Sequence, residues 1–151
     1  MATKRLSDSE LRAWQALLHA YHDVVQTLDR EMQDEHDLTL AGYDVLLRLT
    51  SAPDKALRMS ELAERVLMSP SGTTRLVDRL TKQELVERQE DPADGRVAMA
   101  HLTAAGAQHL RRAAQTHLRG IREHFTGRLS EAQLRDVAKG LETITGAHEP
   151  H

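Results

Sequence analysis

Apolar residues recur at spacings of three and four from Leu11 through Trp14, Leu17, Leu18, Tyr21, Val24, Val25 and Leu28 to Met32. That period marks a helix with one buried face, here roughly seven turns long. Ser7 and Glu10 stand in front of it as a capping box, in which each side chain accepts the other residue's backbone N–H. The polar run Asp34-Glu35-His36-Asp37 breaks the stripe. A second helix is expected from Leu40 to Thr50, capped by Thr39, burying Tyr43, Leu46 and Leu47 and stopped at Ala52-Pro53-Asp54.

The middle of the chain changes rhythm. Leu57 to Met59 suits a short edge strand, and Glu61 to Val66 a short helix that buries Leu62, Ala63 and Val66, opened by Ser60 or Arg58. Ser69-Pro70 is a strong helix start, because Ser caps orphan N–H groups and Pro is pre-set for the first helical position. From there Leu76, Val77 and Leu80 form the apolar stripe, and Ser71, Thr74, Arg75, Asp78, Arg79 and Lys82 face away from it. Leu85 to Gln89 reads as a strand, Glu90 to Arg96 as a turn rich in Asp, Pro and Gly, and Val97 to Leu102 as a second strand. Thr103 caps a long helix with the stripe Leu110, Ala114, His117, Leu118, Ile121 and Phe125, which Gly127 can end. Ser130 and Gln133 form a second capping box, followed by Leu134, Val137, Leu141 and Ile144; Ala147 to His151 should fray. Two short helices followed by a hairpin make a winged helix-turn-helix, so the expected fold class is mainly α with a small β wing. The first helix is too long for a small core, which suggests that part of its face meets another subunit in a helical dimerisation layer.

At these residues the chain resembles the MarR family of bacterial transcriptional regulators. The resemblance is carried by Leu76-Val77-Asp78-Arg79-Leu80, Leu85-Val86-Glu87-Arg88, Asp94-Gly95-Arg96, and Leu102-Thr103 with Gly106, in that order and spacing. It implies a homodimer that binds a near-palindromic operator, more often as a repressor, and is modulated by a small effector. At 151 residues the chain is expected to be one domain, residues 1–151. The winged region would span 57–103, and the helices of 7–34 and 104–146 would interleave with a second subunit. Three departures stand out. Relatives carry Gly where Glu84 stands, commonly Thr at the Arg58 position, and a polar or basic residue where Gly95 stands.

Charge refines this picture. The net charge of −3 is unlike that of a generic nucleic-acid binder. Residues 1–56 carry a net −4, residues 57–103 a net −1 and residues 104–151 a net +2, so a DNA site has to be a local cluster. Aromatics are confined to Trp14, Tyr21, Tyr43 and Phe125, too few for the stacking platforms of a single-strand binder, which favours duplex DNA. No apolar run is long enough for a membrane span and no signal-peptide pattern opens the chain, so a cytoplasmic location is expected. With no cysteine, disulfides and thiol-based sensing are excluded. No phosphate loop, nucleophile elbow or HExxH is found, so no enzyme is expected.

The expected DNA-binding residues are Ser69, Ser71, Thr73 and Thr74 in the first turn of the recognition helix, Arg75, Arg79 and Lys82 beyond it, and Arg88, Asp94 and Arg96 on the wing. Arg grips guanine edges or phosphates bidentately, and an Arg at a hairpin tip suits the narrow minor groove. The resemblance gives Asp94 the task of holding the Arg96 guanidinium. The competing reading of the helix face is a solvated surface with Arg75–Asp78 and Asp78–Lys82 pairs at helical spacing, in which Asp78 orients one of its neighbours.

Nine histidines open a further possibility. A zinc-responsive regulator of the same fold would draw on Glu35, His36 and His109; His19 and His22 share a helical face, and His117 lies on an apolar stripe. The commoner effector implied by the resemblance is a small aromatic acid, for which Trp14 and Tyr43 are the candidate pocket residues. No cofactor is otherwise required. A helical interaction module without DNA binding is the remaining alternative, and it leaves the wing without a purpose.

Overall fold

The chain enters its first helix as the capping box requires: Ser7 N–H donates to the Glu10 carboxylate at 2.6 Å, and Glu10 N–H donates to Ser7 Oγ at 3.2 Å. These bonds from Ser7 hold the Glu10 carboxyl below its usual range. The computed structural model describes residues 4–66 and 68–146, so the expected fraying of Ala147 to His151 lies outside the described residues. The elements are α1 (Asp8–His36), α2 (Leu40–Ser51), β1 (Ala56–Arg58), α3 (Met59–Arg65), α4 (Pro70–Lys82), β2 (Val86–Asp91), β3 (Asp94–Leu102), α5 (Ala104–His124) and α6 (Glu131–Thr145). Among the described residues no helix is long and apolar enough to cross a membrane.

Two compact units form, residues 4–28 with 118–146, and residues 29–117. The second holds the core. Met32, Leu38, Val45, Leu46, Leu49, Leu62, Val77, Leu80 and Val86 are all at most 2% exposed. Each such side chain contributes roughly 1.5–3 kcal/mol by leaving water. The sheet beside them is antiparallel in the order β1-β3-β2, with Leu57 opposite Ala100 and Val86 opposite Leu102. The core therefore clamps α2, α3 and α4 against the base of the hairpin, and the hairpin's far end projects from it.

The first unit has the opposite character. Leu28 is its one buried hydrophobic side chain among the described residues. Leu11, Trp14, Leu17, Leu18, Tyr21, Leu118, Phe125, Val137, Leu141 and Ile144 are exposed, although the sequence places each of them on an apolar helical stripe. Helix α6 starts from a complete capping box of Ser130 and Gln133.

Several boundaries differ from the sequence reading. Helix α1 does not break at Asp34; it runs to His36 and turns at Asp37, which has φ of 49°. The polar run ends the apolar stripe but leaves the backbone ladder intact, as Asp37 N–H still donates to Gln33 O. The wing strands are longer than expected, closing on a turn of only Pro92 and Ala93, with Asp91 paired to Asp94. An exposed hairpin tip needs no apolar alternation, so periodicity could not reveal these residues. Helix α5 ends at His124 rather than at Gly127. Gly127 is instead required by a close approach, since a Cβ there would lie 2.4 Å from the Arg122 carbonyl oxygen.

The end of α4 resolves the Glu84 departure. Glu84 adopts φ of 61°, the left-handed conformation that glycine adopts without strain. Glu84 N–H donates to Thr81 O and Leu85 N–H to Leu80 O, both at 3.0 Å, which is a Schellman ending. The Thr103 hydroxyl donates to Glu84 O at 2.7 Å. These bonds hold a conformation that costs Glu on the order of 1 kcal/mol.

Candidate nucleic-acid interface

Helix α4 begins as the Ser-Pro pair dictates. Ser69 Oγ accepts from Gly72 N–H at 3.1 Å, and Pro70 occupies the first turn. Leu76, Val77 and Leu80 pack inward, and Ser71, Thr74, Arg75, Asp78, Arg79 and Lys82 remain exposed on the opposite face. Thr73 is a correction. It is 1% exposed and its hydroxyl donates to Ser69 O at 3.0 Å, so it belongs to the buried stripe and not to the exposed first turn.

Asp78 is a second correction. Its Oδ1 pairs with Arg88 Nη2 of strand β2 at 3.1 Å, rather than with Arg75 or Lys82 on its own helix. Arg88 Nη2 also donates to Thr74 O at 3.4 Å. Arg88 thus fastens the wing to the recognition helix. With Asp78 engaged there, none of Arg75, Arg79 and Lys82 forms an ion pair among the described residues. Three cations on one face are left to meet an anionic partner.

At the wing tip, Asp94 Oδ1 accepts from Arg96 N–H at 3.1 Å and from Arg96 Nε at 3.3 Å. The Arg96 side chain is 93% exposed, projecting forward from a carboxylate that limits its freedom. The sequence reading missed a further pair. Arg58, the residue before α3, directs Nε and Nη2 to Asp91 Oδ2, each at 2.9 Å. A signal was present in the sequence: an Arg stood where a helix start wants a hydroxyl, and the Arg58 side chain makes no cap.

A model of the MarR family matches residues 36–97. The HTH-type transcriptional regulator YsmB of Bacillus subtilis (strain 168), itself uncharacterised, is 33% identical over 106 residues, which are 68% of this chain and 71% of YsmB. The chain belongs to the MarR family. The HTH-type transcriptional repressor IacR of Pseudomonas putida is 27% identical over 131 residues, 87% of this chain and 75% of IacR. Among solved structures, the MarR family regulator Sco3205 of Streptomyces coelicolor, in complex with DNA, superposes with a TM-score of 0.88 at 28% identity, covering 99% of this chain and 93% of Sco3205. The protein is a helix-turn-helix transcriptional regulator, not an enzyme.

The remaining candidate residues of this MarR regulator occupy different settings. Glu35, His36 and His109 are brought together, but as a hydrogen-bond relay. The Thr116 hydroxyl donates to Glu35 Oε2 at 3.0 Å and accepts from His36 Nε2 at 2.7 Å. His109 Nε2 donates to His36 O at 2.8 Å, and the two rings meet edge to face at 5.9 Å. Their ligand atoms do not converge within 4.8 Å of one another as a metal set. Both Nε2 atoms are committed to protein partners, an arrangement unlike the zinc reading.

Tyr43 and Trp14, the two candidate effector residues, lie in different units. Tyr43 is 8% exposed in the core, and its ring lies 4.9 Å from that of His117. Burial raises the Tyr43 hydroxyl above its usual range and lowers His117 below the ordinary imidazole value of 6.5. Trp14 is 55% exposed on α1. In the second unit, an open cleft of about 310 Å³ lies beside the recognition helix, with Arg79 and Lys82 facing Gln33 and Asp37. Gln83 Nε2 donates to Asp37 O at 2.8 Å and so ties the end of α4 to the end of α1.

Proposed function

We propose that this MarR regulator is a repressor that binds a near-palindromic duplex operator as a homodimer in the cytoplasm. The observation that carries the reading is the charge arrangement on α4. Asp78 is drawn away by Arg88, so among the described residues Arg75, Arg79 and Lys82 present positive charge with no carboxylate in ion-pair contact. Helix α4 enters the major groove, where Ser69, Ser71, Thr74 and Arg75 approach base edges and Arg79 and Lys82 approach phosphates. The wing lays Arg96, steadied by Asp94, into the flanking minor groove. The MarR-like DNA complex of Sco3205 and the repressor named IacR support this direction.

The dimer rests on the exposed apolar stripes of residues 7–34 and 104–146. Trp14, Tyr21, Leu118, Leu141 and Ile144 are helical apolar residues of the kind that a second copy of the chain buries. A two-fold dimer sets its recognition helices about 34 Å apart, one turn of DNA. A small aromatic acid shifts the equilibrium between spacings that fit the operator and spacings that do not. Sedimentation of the wild type and of Leu141→Glu tests the assembly, with a dimer expected for the first and a monomer for the second. Titration with duplex DNA at rising salt tests the binding mode. A steep loss of affinity with salt is expected, and binding insensitive to salt would refute it.

A further inference from the structure

The wing turn contains two aspartates with opposite assignments. Asp94 faces outward and holds Arg96. Asp91 faces inward; its side chain is 9% exposed, its Oδ2 accepts from Arg58 Nε and forms an ion pair with Arg58 Nη2, and its Oδ1 accepts from Ala93 N–H, all at 2.9 Å. The residues between are only Pro92 and Ala93, and β2 and β3 shift register between Glu90 and Asp91. A strand at a register shift lacks part of its ladder, so the orientation of the tip is not fixed by backbone pairing alone. The Arg58 guanidinium supplies the missing constraint. It joins the start of α3 to the turn across 33 positions of sequence.

We propose that Arg58 is a positioning residue for DNA recognition, acting through Asp91 to fix the wing tip so that Arg96 meets the minor groove. The inference rests on the wing reading given above. Arg58 has the backbone conformation of a helix cap but no side-chain acceptor with which to cap α3; its guanidinium reaches to the turn, with Glu61 Oε1 at 4.0 Å from the same Nε. A guanidinium that brings two nitrogens to 2.9 Å of one buried carboxylate oxygen constrains direction as well as distance. Lys, a single point donor, would hold the turn less firmly.

The test is a double-mutant cycle on the full-length chain, using the duplex that the wild type enriches from a randomised pool. Arg58→Met alone should weaken binding about five- to tenfold. In an Arg96→Ala background it should add less than about twofold, because the residue it positions is gone. Asp91→Asn should behave like Arg58→Met, and Arg58→Lys should fall between Arg58→Met and wild type. Without DNA, Arg58→Met should speed amide exchange at Ala93 while leaving exchange in α4 unchanged. Should Arg58→Met fail to fold, the same cycle is run with Asp91→Asn. An unchanged affinity, or losses that multiply fully with Arg96→Ala, would overturn the proposal while leaving the wing reading intact. If Arg96→Ala itself bound like wild type, or no duplex were enriched, the wing reading would fail and this inference with it.

Discussion

Arg88 on the first wing strand and Asp78 on the recognition helix are joined at 3.1 Å, and the same Arg88 nitrogen reaches Thr74 O at 3.4 Å. One side chain thereby joins the two elements proposed to approach DNA. Both partners are substantially exposed, so the pair is worth little to stability. Arg88→Met should leave the melting temperature within a few degrees of wild type. Operator affinity should fall about tenfold. Thermal denaturation beside a duplex titration would separate the two effects.

Arg96→Ala removes the forward cation of the wing without touching the core. Affinity for the operator should fall at least about tenfold. Sedimentation and circular dichroism should match wild type. Unchanged affinity would remove the wing tip from DNA recognition.

Glu84→Gly should stabilise the fold by about 1 kcal/mol, because the left-handed conformation at φ of 61° no longer strains a side chain. Urea denaturation reads this as a rise in midpoint with no change in slope.

Gly106→Ala should be strongly destabilising. A Cβ at Gly106 would lie 2.1 Å from the Leu85 carbonyl oxygen, where α5 crosses the start of β2. Both elements must separate to accept it, at a cost of about 3 kcal/mol. A loss of stability of less than about 1 kcal/mol by urea denaturation would contradict the close packing described.

His117 gives the stability a pH dependence. Burial lowers its pKa in the folded chain below the unfolded value of 6.5. The unfolded chain therefore takes up the proton first as pH falls. The contribution of His117 is fully present above pH 6.5 and is lost as pH drops through the lower, folded value. His117→Phe should flatten the melting temperature against pH in that window. An unchanged slope would show that His117 is not the group responsible.

The local devices were legible in the sequence. Both capping boxes, the Ser69-Pro70 start, the stripe of Leu76, Val77 and Leu80, and the Asp94–Arg96 contact depend on residues within four positions of one another. The errors lie where a side chain has a choice between local and distant partners. Asp78 has Arg75 and Lys82 at helical spacing, yet it pairs with Arg88 across the turn that follows α4. Arg58 finds Asp91 only after the sheet has formed. Thr73 shows a different limit: it sits at the border of the stripe, and its polar side chain is buried because its hydroxyl bonds back to Ser69 O. The histidines near α5 resemble ligands in sequence because periodicity reports which residues meet and is silent about which atoms face one another.

The most direct test of the account is selection of the purified wild-type chain against randomised duplex DNA. The account predicts an enriched near-palindrome with half-site centres about one helical turn apart, roughly 34 Å, bound with a Kd of about 10⁻⁸–10⁻¹¹ M. Enrichment of no sequence, with binding no tighter than to arbitrary duplex, would contradict it.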